Sequence, residues 1–270
     1  MQKGRNALGF NLQASFLSGY GGVVAPPFER FYLGGENDLR GFDIRSVSPV
    51  SFLPSTLNIP LTNPDGSRVP LDPKNPRAGG CGSPPCPYTI PIPLERIVFP
   101  GGDTSLTGNL EYRITIAGPV ALAPFVDLGV NPIIRKSQLT LNGGELNTIN
   151  QTLYGCPSRD VALQCVGGQS IAFSGILSPV AGTNWTPRMS TGLELQVFLP
   201  IINAPFRIYY AYNPLRLDTS ATAPVPITRS MFPDTDAGQF TYEQAIRLSA
   251  PTFRLREPRK TFRFTVATTF

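Results

Sequence analysis

Arg40 is the side chain best placed to do chemistry in this sequence. It lies in the stretch Glu29-Arg30-Phe31-Tyr32-Leu33-Gly34-Gly35-Glu36-Asn37-Asp38-Leu39-Arg40-Gly41-Phe42. A glycine beside an arginine lets the backbone turn sharply and come close to a neighbouring wall. The guanidinium can then point a five-donor fork at carboxylates, and Phe42 follows as a bulky apolar group. Taken alone, the stretch equally fits an ordinary glycine-rich surface turn. What faces it decides between the two.

Other residue types narrow the chemistry. The chain has no histidine, which excludes histidine acid–base catalysis and histidine-ligated metals. No nucleophile elbow is present, so neither an enzyme nor a cofactor is expected. Four cysteines form two close pairs, Cys81 with Cys86 and Cys156 with Cys165. Both pairs lie in loop-like sequence, as two disulfides in an oxidising compartment would. A four-cysteine metal site is the rival, and its tight C-x2-C spacing is missing.

The bulk composition is 41% hydrophobic and 15% charged over 270 residues, against about 25% charged in an average soluble domain. The net charge of +5 is mild and scattered. Nucleic-acid binding would call for a clustered basic stripe or a recognisable module. No run of 18 or more apolar residues exists to make a membrane-spanning helix. No signal peptide is visible after Met1 either, which suggests that Met1 is not the natural start.

The segments able to position Arg40's partners alternate with period two, as strands do. In the first, Leu8, Phe10, Leu12, Ala14 and Phe16 oppose Ala7, Gly9, Asn11, Gln13 and Ser15. Residues 106–116 set Thr107, Asn109, Glu111 and Arg113 against an apolar face, and 120–130 set Phe125, Asp127 and Gly129 against another. Ala117-Gly118-Pro119 makes these two a hairpin, with Pro124 pointing to a bulge or edge-like position. Residues 189–199 carry Glu194, 206–213 carry Arg207, and 261–270 carry Arg263 on their polar faces. Three long connections, 20–103, 131–187 and 214–258, separate these strands. The first holds thirteen prolines between Pro49 and Pro100, which reads as mostly loop.

Six alternating strands of about ten residues, joined by alternately long and short connections, match tilted crossings of a bilayer in an outer-membrane barrel. Tyr112, Tyr210, Tyr212 and Phe270 fit interfacial aromatic girdles. The inward charges suit a wet lumen better than a sealed core. A soluble β-sandwich with one polar face is the alternative. Six strands are fewer than the eight from which bacterial membrane barrels start, and an open edge cannot face lipid. The expected fold is therefore all-β, the C-terminal portion of a larger antiparallel transmembrane barrel, spanning 1–270. The alternation also places Glu111 and Asp127 on the same face, within reach of Arg40. On that two-carboxylate view, Asp127→Arg should loosen the loop and Arg40→Asp in the same chain should restore part of the loss.

Several of these segments resemble one family. Phe31-Tyr32-Leu33-Gly34-Gly35 followed by Leu39-Arg40-Gly41-Phe42 is similar to the lumen-inserting loop of BamA-type outer-membrane assembly factors. Phe125-Val126-Asp127-Leu128-Gly129 resembles that family's F-x-D-x-G strand motif, and Glu111 sits where it carries an inward glutamate. Phe262 to Phe270, with Phe262, Phe264 and a terminal Phe270, looks like a C-terminal β-signal. The resemblance implies a sixteen-stranded barrel of which this chain supplies the last six strands, with the POTRA domains and first ten strands absent. It further implies a bacterial outer-membrane location, outer-membrane lipid and unfolded outer-membrane proteins as partners, and accessory lipoproteins. Barrel insertion is the implied activity. A two-partner-secretion or TamA-type translocator and a passive porin-like barrel are the alternatives.

Overall fold

A computed structural model describes residues 6–21, 23–75, 77–199, 204–224 and 226–266. In chain order the elements are β1 (Ala7–Phe16), β2 (Ser51–Pro60), β3 (Thr89–Val98), β4 (Thr104–Ala117) and β5 (Val120–Val130). Helix α1 (Gly143–Gln151) and four two-residue strands follow: β6 (Leu153–Tyr154), β7 (Ser158–Arg159), β8 (Cys165–Val166) and β9 (Gln169–Ser170). The chain continues with β10 (Arg188–Leu199), β11 (Ala204–Leu215), β12 (Asp218–Thr222), α2 (Asp236–Ser249), β13 (Thr252–Arg256) and β14 (Lys260–Val266).

The six alternating segments form one antiparallel sheet in the order β1-β4-β5-β10-β11-β14. The short link 118–119 and the strand ends Leu199 and Ala204, which pair with each other, lie at one end of it, and the three long connections leave from the other. Among the described residues the sheet is open, with β1 and β14 as its edges. Its two faces differ as the alternation requires. Leu8, Phe10, Leu110, Leu128, Leu193, Phe262 and Phe264 are exposed on one, while Glu111, Phe125, Asp127, Glu194, Tyr209 and Asn213 are buried on the other. Exposed apolar and buried charged side chains reverse the order of a water-soluble sheet and suit one that faces hydrocarbon outside and a polar interior within. Among the described residues no helix is long and apolar enough to cross a membrane.

Two local expectations change. β5 is neither an edge nor bulged at Pro124, because Leu193 of β10 pairs with it in unbroken register. On the β4 side the ladder lapses between Glu111↔Phe125 and Ile114↔Leu122 without a change of register, as a residue lacking an N–H dictates. Tyr210 sits mid-strand, paired with Leu193 and Phe262, so it does not mark a strand end. Phe270 lies outside the described residues.

The proline-rich connection is mostly loop, as its prolines imply, yet it holds two paired strands. β2 and β3 pair over ten residues each. Their prolines fall in the pairs Pro54↔Glu95, Thr56↔Pro93, Asn58↔Pro91 and Pro60↔Thr89. All four pairs share one parity, so the missing N–H groups can all point away from the partner strand, a position open in a two-stranded ladder. The opposite parity puts Ile59, Ile90 and Ile92 on one face, and all three are buried.

That face seeds a second core. Ile59, Leu61, Tyr88, Ile90 and Ile92 from the first connection pack with Tyr154 and Cys156 from the second and with Ile227, Met231, Phe232, Ala237 and Ala245 from the third. Backbone bonds cross between them: Gly155 N donates to Pro91 O (2.7 Å) and Cys156 N to Met231 O (2.8 Å). Thr62 N donates to Thr241 Oγ1 of α2 (2.8 Å). Each fully buried large aliphatic contributes about 1.5–3 kcal/mol, so the three connections fold together as one cap at the long-loop end. The disulfides Cys81–Cys86 and Cys156–Cys165 are both formed, and both lie in this cap.

Candidate functional site

The stretch around Arg40 is a compact loop closed at its base. Leu33 and Val47 exchange both backbone hydrogen bonds (3.1 and 2.9 Å), as do Phe31 and Gly102 (3.0 and 2.8 Å). Buried Asn131 donates to the carbonyls of Val47 (2.9 Å) and Phe31 (3.2 Å) and binds the loop to the end of β5. Gly34 and Gly35 have φ of 108° and 111°, a region that favours glycine. A Cβ on Gly34 would meet Asp43 O at 2.2 Å. Gly41 has φ of 88°, and a Cβ there would meet Asn213 Oδ1 at 2.4 Å and Ala211 Cβ at 2.9 Å. The glycine is thus what lets the loop lie against β11.

Arg40 is 4% exposed and uses its whole fork. Nε and Nη2 donate to the two oxygens of Asp127, each at 2.9 Å, and the Arg40 backbone N–H adds a third bond to Asp127 at 3.0 Å. Nη1 donates to Glu111 Oε2 (2.6 Å) and Glu194 Oε2 (3.1 Å). The guanidinium carbon stands 3.8 Å from the ring centroid of Phe125, a cation–π contact strengthened by desolvation. Burial alone would lower the Arg40 pKa, but hydrogen bonds and charge from Asp127, Glu194 and Glu111 outweigh it and hold it above its ordinary value.

The carboxylates have partners of their own. Arg113 pairs with Glu111, and Arg207 with Glu194. Gln196 bridges Glu111 (3.2 Å) and Glu194 (2.7 Å), and Asn109 donates to Asp127 (3.0 Å) and to Asp38 O (2.8 Å). Three arginines thus balance three carboxylates within one connected network. That balance offsets the cost of burying Asp127 and Glu194 completely.

The structure brings together Arg40, Gly41, Glu111, Phe125 and Asp127. Gly129 serves differently, leaving room for Leu33 and Leu39, whose Cδ1 atoms would lie 3.0 and 3.6 Å from a Cβ there. Phe42 packs in a buried cluster with Leu33, Leu39 and Val47 of its own loop. Phe262 and Phe264 lie on the exposed face of β14, away from this cluster. Glu194 is the partner missed by weighing only two carboxylates. Its inward parity was visible, but its reach to Arg40 depends on the register Glu194↔Ala123, which puts β10 beside β5.

The cluster can hold a loop inside the sheet by charge, and can release it if the charges separate. No curated protein and no solved structure matches the chain. The Omp85 superfamily domain matches residues 3–270. The chain therefore belongs to the Omp85 superfamily, which includes outer-membrane protein insertion and translocation factors.

Proposed function

We propose that this chain is the C-terminal part of the barrel of a BamA-type assembly factor of the bacterial outer membrane, folding and inserting β-barrel proteins without covalent chemistry. Its partners are then unfolded outer-membrane proteins, outer-membrane lipid and accessory lipoproteins. The observation that carries this reading is the buried Arg40–Asp127–Glu111–Glu194 network, which seats the loop against the sheet's polar face. A passive pore has no need of such a latch. The packed cap favours insertion over passage of a polypeptide through the lumen, because a chain leaving at the long-loop end has to displace a shared apolar core. An incoming strand instead needs only a sheet edge, where backbone groups pair by β-augmentation.

The test is Arg40→Ala in the full-length protein, with folded barrel proteins in the outer membrane as the readout. Their level falls if the reading is right. Normal assembly by a variant present at wild-type amount contradicts it. A steady ionic conductance from the wild type, with no effect on insertion, supports a passive pore instead.

A further inference from the structure

The latch is also held from the far side of the sheet. Gly41 O accepts from Asn213 Nδ2 on β11 (2.9 Å) and from Thr261 Oγ1 on β14 (2.7 Å). Two residues further on, Asp43 pairs with Arg263 of β14. Asn213 also donates from Nδ2 to Pro258 O (2.9 Å) and from its backbone to Arg259 O (2.9 Å), in the segment that leads into β14. β14 itself is an edge of the described sheet, and its one ladder runs from Tyr212↔Lys260 to Phe206↔Val266 of β11. Thr261 and Arg263 are successive positions on its inward face, while Phe262 and Phe264 point outward. Among the described residues the strand thus has two supports, its ladder with β11 and the loop that Arg40 seats.

We infer that Thr261 and Arg263 are positioning residues that couple seating of the latch to pairing of β14. Seating Arg40 among the carboxylates presents Gly41 O and the Asp43 carboxylate to the inward face of β14. Withdrawal of the loop removes both contacts and leaves the edge strand with its ladder alone. Linkage makes the effect reciprocal, so peeling β14 from β11 weakens the seat of Arg40. This deepens the assembly reading and rests on it for its biological meaning, since a client strand that displaces β14 would thereby unseat the latch.

Hydrogen exchange of the full-length protein in bilayer discs tests the coupling. Asp127→Asn and Arg40→Lys each weaken the seat and touch nothing on β14. Each is expected to speed exchange of the 260–266 amides by about fivefold or more, the lower end of ordinary coupling between sites, with β2–β3 as an unchanged reference. In a Thr261→Val, Arg263→Gln background that increment disappears. Unchanged β14 exchange in both seat variants overturns the inference. So does an increment that survives the background, or one matched by β2–β3. Assembly activity measured on the same samples separates the two claims. Loss of assembly without altered β14 exchange sinks only the coupling, and altered exchange with normal assembly sinks only the assembly reading.

Discussion

The latch and the cap are both built from the long connections, yet they are held by opposite means. The cap has an apolar core of twelve buried residues drawn from three connections, and both disulfides. The latch has an apolar cluster of four, all from its own loop, so its attachment to the sheet is mainly polar and centres on one arginine and three carboxylates. Apolar burial is non-directional and tolerates small shifts. A buried ion cluster holds one geometry and fails as a unit, because removing one member leaves the others charged and unpaired. The cap is therefore suited to staying put, and the latch to being either fully seated or released.

The largest effect expected from breaking this contrast is at Asp127. Asp127→Ala strands Arg40 beside two glutamates and should cost about 3–5 kcal/mol of latch seating. Protease cleavage between Leu33 and Val47 reads that loss, with the cap fragments unchanged. The structure also corrects the charge-swap expectation. Glu111 and Glu194 still face position 40, so Arg40→Asp added to Asp127→Arg places a third carboxylate among them, and protection of the loop should not return.

Ile90→Ala should act on the other side of the comparison. Ile90 is completely buried in the cap, and a cavity there should cost about 2–5 kcal/mol. Cleavage should now appear in the 131–187 and 214–258 connections while the 33–47 loop stays protected. Replacing Cys156 and Cys165 together by serine opens a loop of sequence separation 9 and should cost about 2–3 kcal/mol by the same cleavage assay. Arg113→Ala should have the smallest effect. Its side chain is 52% exposed, so losing its pair with Glu111 should cost about 0–1 kcal/mol, and protection of the latch should survive.

The parts legible in the sequence are those governed by period-two alternation. The strands, their polar and apolar faces, and the placing of Glu111 and Asp127 on one inward face all follow from which residues share a parity. Glu194 shared that parity too, but contacts across β10 and β5 depend on register, which one strand read alone does not specify. β2 and β3 were hidden because counting prolines ignores where they fall. Pro54, Pro60, Pro91 and Pro93 break no ladder when all occupy one parity of a two-stranded hairpin. α2 carried a usable signal in Thr235, whose side chain accepts from Gly238 N, as an N-cap should. The bonds from Gly41 to Asn213 and Thr261 span sequence separations of 172 and 220, and no local pattern announces contacts of that kind.

The claim that the arginine cluster underlies function is tested most directly by reconstituting the full-length protein in liposomes and timing the folding of an added unfolded barrel protein. Wild type, Arg40→Lys and Arg40→Ala are compared at equal amounts of inserted protein. A lysine keeps the charge but loses the fork that spans Asp127, so the account predicts intermediate acceleration for Arg40→Lys and near-background folding for Arg40→Ala. Folding by Arg40→Ala at the wild-type rate would contradict it.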